Sequence, residues 1–536
     1  MPSNLWRCRA LLLALIILIA NVSAQRKGAA RGNVEEITAA QLKAYLSFIA
    51  SDELEGRDTP SRGLNIAAQF LAAQLARWGV MPGGEGGTYF QTIKLSHVKI
   101  DPQATFAELN GKRFQYGEDF LAKEIAANVS GALVYVGQCW TIAADSIFAD
   151  ESLEVRGKII LTHAGFPQGL RFGSEEWESP SGYAKRRGAK AIVYIPTFQT
   201  LSNWPRTRQS AIATGEVFVD KFAEAEGAAV PNLTASAQML TEIFRNEAEN
   251  AQTIFKRGVT GETGRAFALE ANKTISFTVA LKTKPEITKN VIGVLEGGDG
   301  KLKKEYVALG AHYDHVGIGR PAAGDSIYNG ADDDGSGTAA VLAIAEAFAQ
   351  SPRPKRSILF VWHTGEEQGL WGSKYFTSYP TVPLEQIIAQ LNMDMIGRSK
   401  KPEDANPANA ELSGPNEVYV IGAKMMSTQL AELSERVNKN FLNLAFNYRY
   451  DKPDDPNQFF YRSDHFHYAQ KGVPIIFYFD GIHEDYHKPS DSVDKIDFVK
   501  MEKVARTIFA TAWELANVPQ RPVVDKPLPA ELTNVH

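Results

Sequence analysis

The stretch NGADDDGSGT, residues Asn329 to Thr338, sets three consecutive carboxylates between glycines and directly ahead of the apolar run Ala339 to Phe348. Glycines let a backbone turn tightly and approach a ligand closely, and a carboxylate with two oxygens can bridge two cations. Solvated surface charge does not call for such a setting, so the stretch directs attention to metal ligands.

Both flanks supply them. EYVALGAHYD, Glu305 to Asp314, is an apolar run that stops at His312 and Asp314. SILFVWHTGEE, Ser357 to Glu367, delivers Glu366 and Glu367, and QIIAQLNMDMIGR, Gln386 to Arg398, delivers Asp394. VPIIFYFDGIHEDYHKPSDS, Val473 to Ser492, delivers His483 and His487. Ligand-type residues at successive strand ends, with helical connections between them, are what an open parallel sheet gathers at its carboxyl edge. The expected fold class is α/β, a mixed and largely parallel sheet flanked by helices.

A chain of 536 residues exceeds what one core organises, and roughly two to four domains are expected. Hydrophobic content of 44% and charged content of 22% are those of a globular protein. A net charge of -5 leaves no electrostatic footprint for nucleic acid, and AKRRGAK, Ala184 to Lys190, reads as a solvated helix end. At the N-terminus Arg7 and Arg9 precede the apolar run Ala10 to Ala20, and Val22-Ser23-Ala24 resembles a cleavage site. Residues 1 to 24 are therefore expected to be a removed signal peptide, with a secreted or periplasmic product. The run is short for a membrane span, which needs about 20 residues, so no stable span is expected after cleavage. Cys8 precedes the apolar run and Cys139 alone remains after cleavage, so no internal disulfide can form.

Along the chain, Gln25 to Asn33 reads as a lead-in. Thr38 is a cap before a helix that places Leu42, Tyr45, Leu46 and Ile49 on one face, and Ser61 to Trp78 reads as a second amphipathic helix. Ser51 to Thr59, SDELEGRDT, between them reads as a solvated loop. Tyr89 to Leu121 suggests short strands. From about Gly131 to Ser276 short strand candidates recur at Gly157 to Thr162, Ala191 to Pro196 and Val230 to Ala237, with a helix near Gly182 to Gly188. No cluster with ligand spacing falls there. After Asn290 the apolar strands resume, Ser351 and Pro352 end the helix through Phe348, and Val499 to Ala516 is the expected last helix. Pro519 to His536 is a proline-rich tail. The expected organisation is thus 1–24 leader, 35–125 first part of the catalytic unit, 126–280 insert, 285–518 catalytic domain and 519–536 tail.

Two zinc ions about 3.5 to 4 Å apart form a hydrolytic centre when a carboxylate lies between them. Zinc accepts imidazole nitrogen and carboxylate oxygen, so two histidines and three carboxylates suffice if one carboxylate is common. His312, Asp332, Glu367, Asp394 and His487 make up such a set. Glu366 is then free beside a ligand, where a carboxylate can act as general base.

The motifs GAHYDHVG, NGADDDGSGTAA, HTGEEQGLWGS, LNMDMIGR and YHKPSDS, in this order, resemble those of the co-catalytic zinc aminopeptidases of family M28. The resemblance covers roughly Glu305 to Ser492. It implies a zinc-peptidase fold, two zinc ions and peptide substrates with a free N-terminus. It implies that Asp332 bridges, that His312 and Asp394 complete one zinc, and that Glu367 and His487 complete the other. Glu366 matches the general base, and Asp314 the carboxylate that orients the histidine. A cis bond between Asp332 and Asp333 is also implied. The insert is similar to the mainly β protease-associated (PA) domain that many of these peptidases carry, with no catalytic role. A tyrosine that stabilises the tetrahedral intermediate precedes the SDH motif in some relatives. Tyr461, just ahead of Arg462-Ser463-Asp464-His465, is offset from that place.

Alternatives stay open. His483-Glu484-Asp485-Tyr486-His487 matches H-E-x-x-H, a single-zinc motif that works only on a helix; here Gly481 and Pro489 argue for a loop. A carboxypeptidase would need a cationic clamp such as Arg398 or Arg462. A glutaminyl cyclase would use one zinc, and a receptor-like relative none. His315, His363, His465 and His467 are read as ordinary polar residues, and the oligomeric state is not legible.

Overall fold

The computed structural model describes residues 31–142, 147–166, 177–213, 215–226, 229–261, 265–270, 273–526 and 528. The expected signal peptide lies outside these residues, as does half of the tail. Two compact units are present, Met1–Ile93 with Ile287–His536, and Lys94–Glu286.

The first unit is built on a sheet whose central strands run in the order Ser357–His363, Tyr306–His312, Ile387–Met393, Ile475–Phe479. All three pairings among them are parallel, with Leu309 opposite Phe360 and Leu391, and Leu391 opposite Ile476. Outside this set, Leu281–Leu295 and Glu417–Ile421 add antiparallel. Strand side chains alternate between two cores: Val307, Leu309 and Ala311 enter one, Ala308 the other. Both faces are covered, which is why these strands read as continuous apolar runs and not as alternating patterns.

The first core takes in helices Ala39–Ile49, Arg62–Arg77, Gly337–Gln350 and Phe498–Asn517. Gly337–Gln350 is buried almost all round, as an apolar helix without a polar stripe must be. On the other face lie Trp371–Ser378 and His465–Gln470, through Phe376, Phe466 and Tyr468. Thr38 caps its helix as expected, accepting from the amide of Gln41, and Ser61, expected as the first residue of the second helix, is its cap, accepting from the amide of Leu64.

The second unit has its own sheet and its own core of residues such as Leu133, Leu161, Val193 and Phe277. Ala127–Tyr135, Ile159–His163, Ala191–Ile195 and Asn232–Ala235 are parallel neighbours in that order. The expected domain boundary at 125/126 is corrected to 93/94. Phe106–Leu109 pairs with Thr274–Val279, and Phe120–Ala122 with Asn232–Ala235. These early strands therefore close the insert's sheet and add nothing to the catalytic one.

Candidate metal centre

Because the central strands are parallel, their carboxyl ends open onto one edge. His312 is the last residue of its strand, Asp394 follows Met393, and Glu366 and Glu367 follow His363 by a short Gly365 turn. His487 comes from the loop beyond Phe479. Residues remote in sequence therefore converge.

The carboxylate between the two histidines is Asp333. Its Oδ1 lies 3.3 Å from His312 Nε2 and its Oδ2 3.1 Å from His487 Nε2. On the first side Asp394 Oδ2 is 3.6 Å from His312 Nε2; on the second Glu367 Oε2 is 3.1 Å from His487 Nε2. The expected bridging residue Asp332 is corrected by one position. Its Oδ1 accepts from the amide of Gly397 at 2.7 Å, and its Oδ2 lies 3.2 Å from His483 Nε2, so it turns away from the cluster. The cis peptide likewise joins Asp333 to Asp334, one bond later than expected. Asp334 is spent on the backbone, accepting from the amides of Gly337, His312 and Met395.

These spacings suit a cation. Donors about 2.1 Å from a tetrahedral zinc stand about 3.4 Å from one another, which the four separations of 3.1 to 3.6 Å approach. His487 Nε2 and Glu367 Oε1 are buried and have no aligned hydrogen-bond partner among the described residues. A nitrogen and oxygen donor set with buried carboxylates is what zinc takes.

Glu366 is set apart. Its Oε2 is 3.9 Å from His312 Nε2, its side chain is 11% exposed, and burial holds its carboxyl well above the ordinary range. With Asp333 and Asp394 it lines a pocket whose other walls include Met395, Phe477, Ile482 and Tyr486. Asp314 behaves differently from its expected role. His312 Nδ1 is 3.2 Å from the Asp314 backbone carbonyl and 3.8 Å from its carboxylate. The carboxylate Oδ1 instead accepts from the amide of Glu366 at 3.2 Å, and burial pushes its pKa up to about 6.

Several supporting residues escaped the sequence reading. Asp491, in YHKPSDS, accepts from the amides of Asp332 and Asp333 and so holds the carboxylate turn. Ser463 donates to Asp394 Oδ2 at 2.6 Å, and Asn392 donates to Ser463. Ser51 to Thr59, read as a solvated loop, is corrected: Arg57 is fully buried. Its guanidinium donates to the carbonyls of Tyr313, Ile49, Asn329 and Gly330 at 2.5 to 3.0 Å, which ties the His312 loop to the carboxylate turn.

The other histidines divide. His363 Nε2 meets the Tyr468 hydroxyl at 3.1 Å, and His467 meets Gln470. His465 stacks on Phe477. His483 and His487 lie on no helix and face different carboxylates, which removes the H-E-x-x-H geometry. Arg398 is buried against Asp485 at 2.8 Å and is not free to clamp a substrate.

The fold thus gathers two groups of metal-type donors at one sheet edge. Residues 290–512 match the model of Peptidase family M28. A probable zinc metalloprotease of Pyrenophora teres f. teres is 29% identical over 296 residues, 48% of this chain and 59% of the relative. Leucine aminopeptidase 2 of Trichophyton rubrum is 26% identical over 358 residues, 61% of this chain and 67% of the relative. The chain thus spans about three fifths of the length of the first curated relatives it matches. Among solved structures, an aminopeptidase from Aneurinibacillus sp. strain AM-1 aligns over 93% of this chain and 98% of its own, at a TM-score of 0.51 and 17% identity. That likeness establishes a shared fold.

Proposed function

We propose that the chain is a secreted or periplasmic dinuclear zinc exopeptidase that removes N-terminal residues from peptides. The observation that carries this reading is Glu366: a largely buried carboxyl, 3.9 Å from His312 Nε2, beside two donor groups that share Asp333. His312, Asp333 and Asp394 would hold one zinc, and Asp333, Glu367 and His487 the other. Zinc bound there would polarise the scissile carbonyl and make water acidic enough to attack at neutral pH.

Glu366 takes the proton from the attacking water and returns it to the leaving amine. Asp314 fixes the Glu366 backbone, and Ser463 fixes Asp394. A substrate α-ammonium entering the pocket meets Asp333, Glu366 and Asp394, while Met395, Phe477, Phe479 and Ile482 offer apolar walls to its side chain. The match to the M28 family model and the likeness to leucine aminopeptidases support this substrate class. Among the described residues no helix is long and apolar enough to cross a membrane. Residues 1 to 24 support export. The second unit, with its separate core, is read as a protease-associated insert with no part in the chemistry.

A carboxypeptidase reading retains one support, Arg462 at the pocket rim, 3.4 Å from the Tyr486 hydroxyl. Incubating the zinc-loaded protein with matched free and N-acetylated peptides, followed by mass spectrometry, separates the two. Loss of N-terminal residues from free peptides only is expected. Trimming of acetylated peptides from the C-terminus would replace this reading with the second.

A further inference from the structure

We propose that His315 is a ligand of the cation held between Glu367 and His487, so that the two halves of the centre are unequal. The inference rests on the dinuclear reading above. His315 lies three residues beyond His312, in the loop leaving the same strand, and its ring is fully buried. Nδ1 stands 2.7 Å from Glu367 Oε1 and 3.8 Å from Asp333 Oδ2, and the ring centroid is 5.5 Å from that of His487. The 2.7 Å approach is not aligned as a hydrogen bond, and among the described residues neither ring nitrogen of His315 nor Glu367 Oε1 has an aligned hydrogen-bond partner. A buried imidazole normally pairs at least one nitrogen. Two donors this near without an aligned proton would be satisfied by a cation in front of both, the pair opening from 2.7 Å toward the roughly 3.4 Å that separates donors on a tetrahedral zinc. Donor atoms of His315, Asp333, Glu367 and His487 all lie within 4.8 Å of one another.

The surroundings hold the ring in place. The His315 amide donates to the Arg57 carbonyl at 3.1 Å. Gly330, at φ +56°, passes so close that a Cβ there would meet the His315 ring at 2.5 Å. A Cβ there would also meet the Asp333 backbone oxygen at 2.2 Å, so the glycine serves both the turn and the entry of the imidazole.

Counting donors gives the consequence. The His487 side has four, His315, Asp333, Glu367 and His487, which is the closed arrangement of a structural zinc. The His312 side has three, His312, Asp333 and Asp394, which leaves a position open toward Glu366 and the pocket. The open side is the one that meets substrate and the one that gives up its metal first.

The test is zinc K-edge absorption fine structure on the full chain loaded with zinc, together with chelator competition on wild type and His315→Gln. Three imidazoles shared by two ions are expected in the wild type; two would overturn the assignment of His315. In His315→Gln one of the two zincs should weaken about a hundredfold or more, beyond what loss of an outer partner does, while the other changes little. Equal affinities in variant and wild type would also overturn it. Should the variant not fold, the wild-type imidazole count decides alone. A wild type that takes up one zinc or none would sink the dinuclear reading itself, a different failure from a two-zinc protein with two imidazoles.

Discussion

At the residue scale, the proposed function depends on which of three adjacent carboxylates would face the cations. Asp333 lies between His312 and His487, whereas Asp332 is engaged by Gly397 and His483. Asp333→Asn is expected to abolish tight zinc uptake, and Asp332→Asn to leave two zincs bound; metal analysis after gel filtration reads both. Glu366→Gln should keep its zinc while turnover falls roughly 10²- to 10⁴-fold; a variant with near-normal turnover would remove Glu366 from the chemistry. The sequence made the donor types and their convergence legible, because each stands at the end of an apolar strand. It left the register within Asp332 to Asp334 undecided, since three identical side chains carry no mark of which way the backbone turns them. His315 was passed over for a related reason: its neighbourhood is assembled by Gly330 and Glu367, which are not near it in sequence.

At the scale of elements, helices and central strands could be read because their apolar period or apolar run is local. The caps at Thr38 and Ser61 followed the same local rules. What could not be read depends on distant pairing. Phe106–Leu109 joins the insert only through Thr274–Val279, and Ser51 to Thr59 is charged yet holds the centre because Arg57 finds four carbonyls. Arg57→Met leaves those buried acceptors unpaired and should destabilise the chain by roughly 3 kcal/mol or more, measured by urea unfolding of the metal-free protein; a change near zero would deny the segment this role. In the insert, burial brings the His163 imidazole, 2.9 Å from the Tyr135 hydroxyl, down to about 4. The folded form therefore resists protonation that the unfolded chain accepts near 6.5. Stability from this residue is complete above that value and is lost as pH falls toward 4, by about 3 kcal/mol. Hydrogen exchange at the Leu161 amide should show protection falling over that interval in wild type and a flatter profile in His163→Gln.

At the scale of the molecule, the family segment 290–512 contains every donor of the proposed centre. The buried Arg57 that braces it comes from the N-terminal part of the same unit, on the far side of the insert in sequence. A truncated chain starting at residue 290 would thus have all the ligands and lack the brace. The chemistry proposed here stands or falls with two zinc ions sharing the carboxylate of Asp333. Anomalous diffraction at the zinc edge, from crystals of the zinc-loaded chain, locates those ions without reference to activity. Two peaks about 3.5 to 4 Å apart, one on each side of Asp333, with Glu366 bound to neither, are expected. A single peak, or peaks gathered on Asp332 and His483, would refute the shared carboxylate.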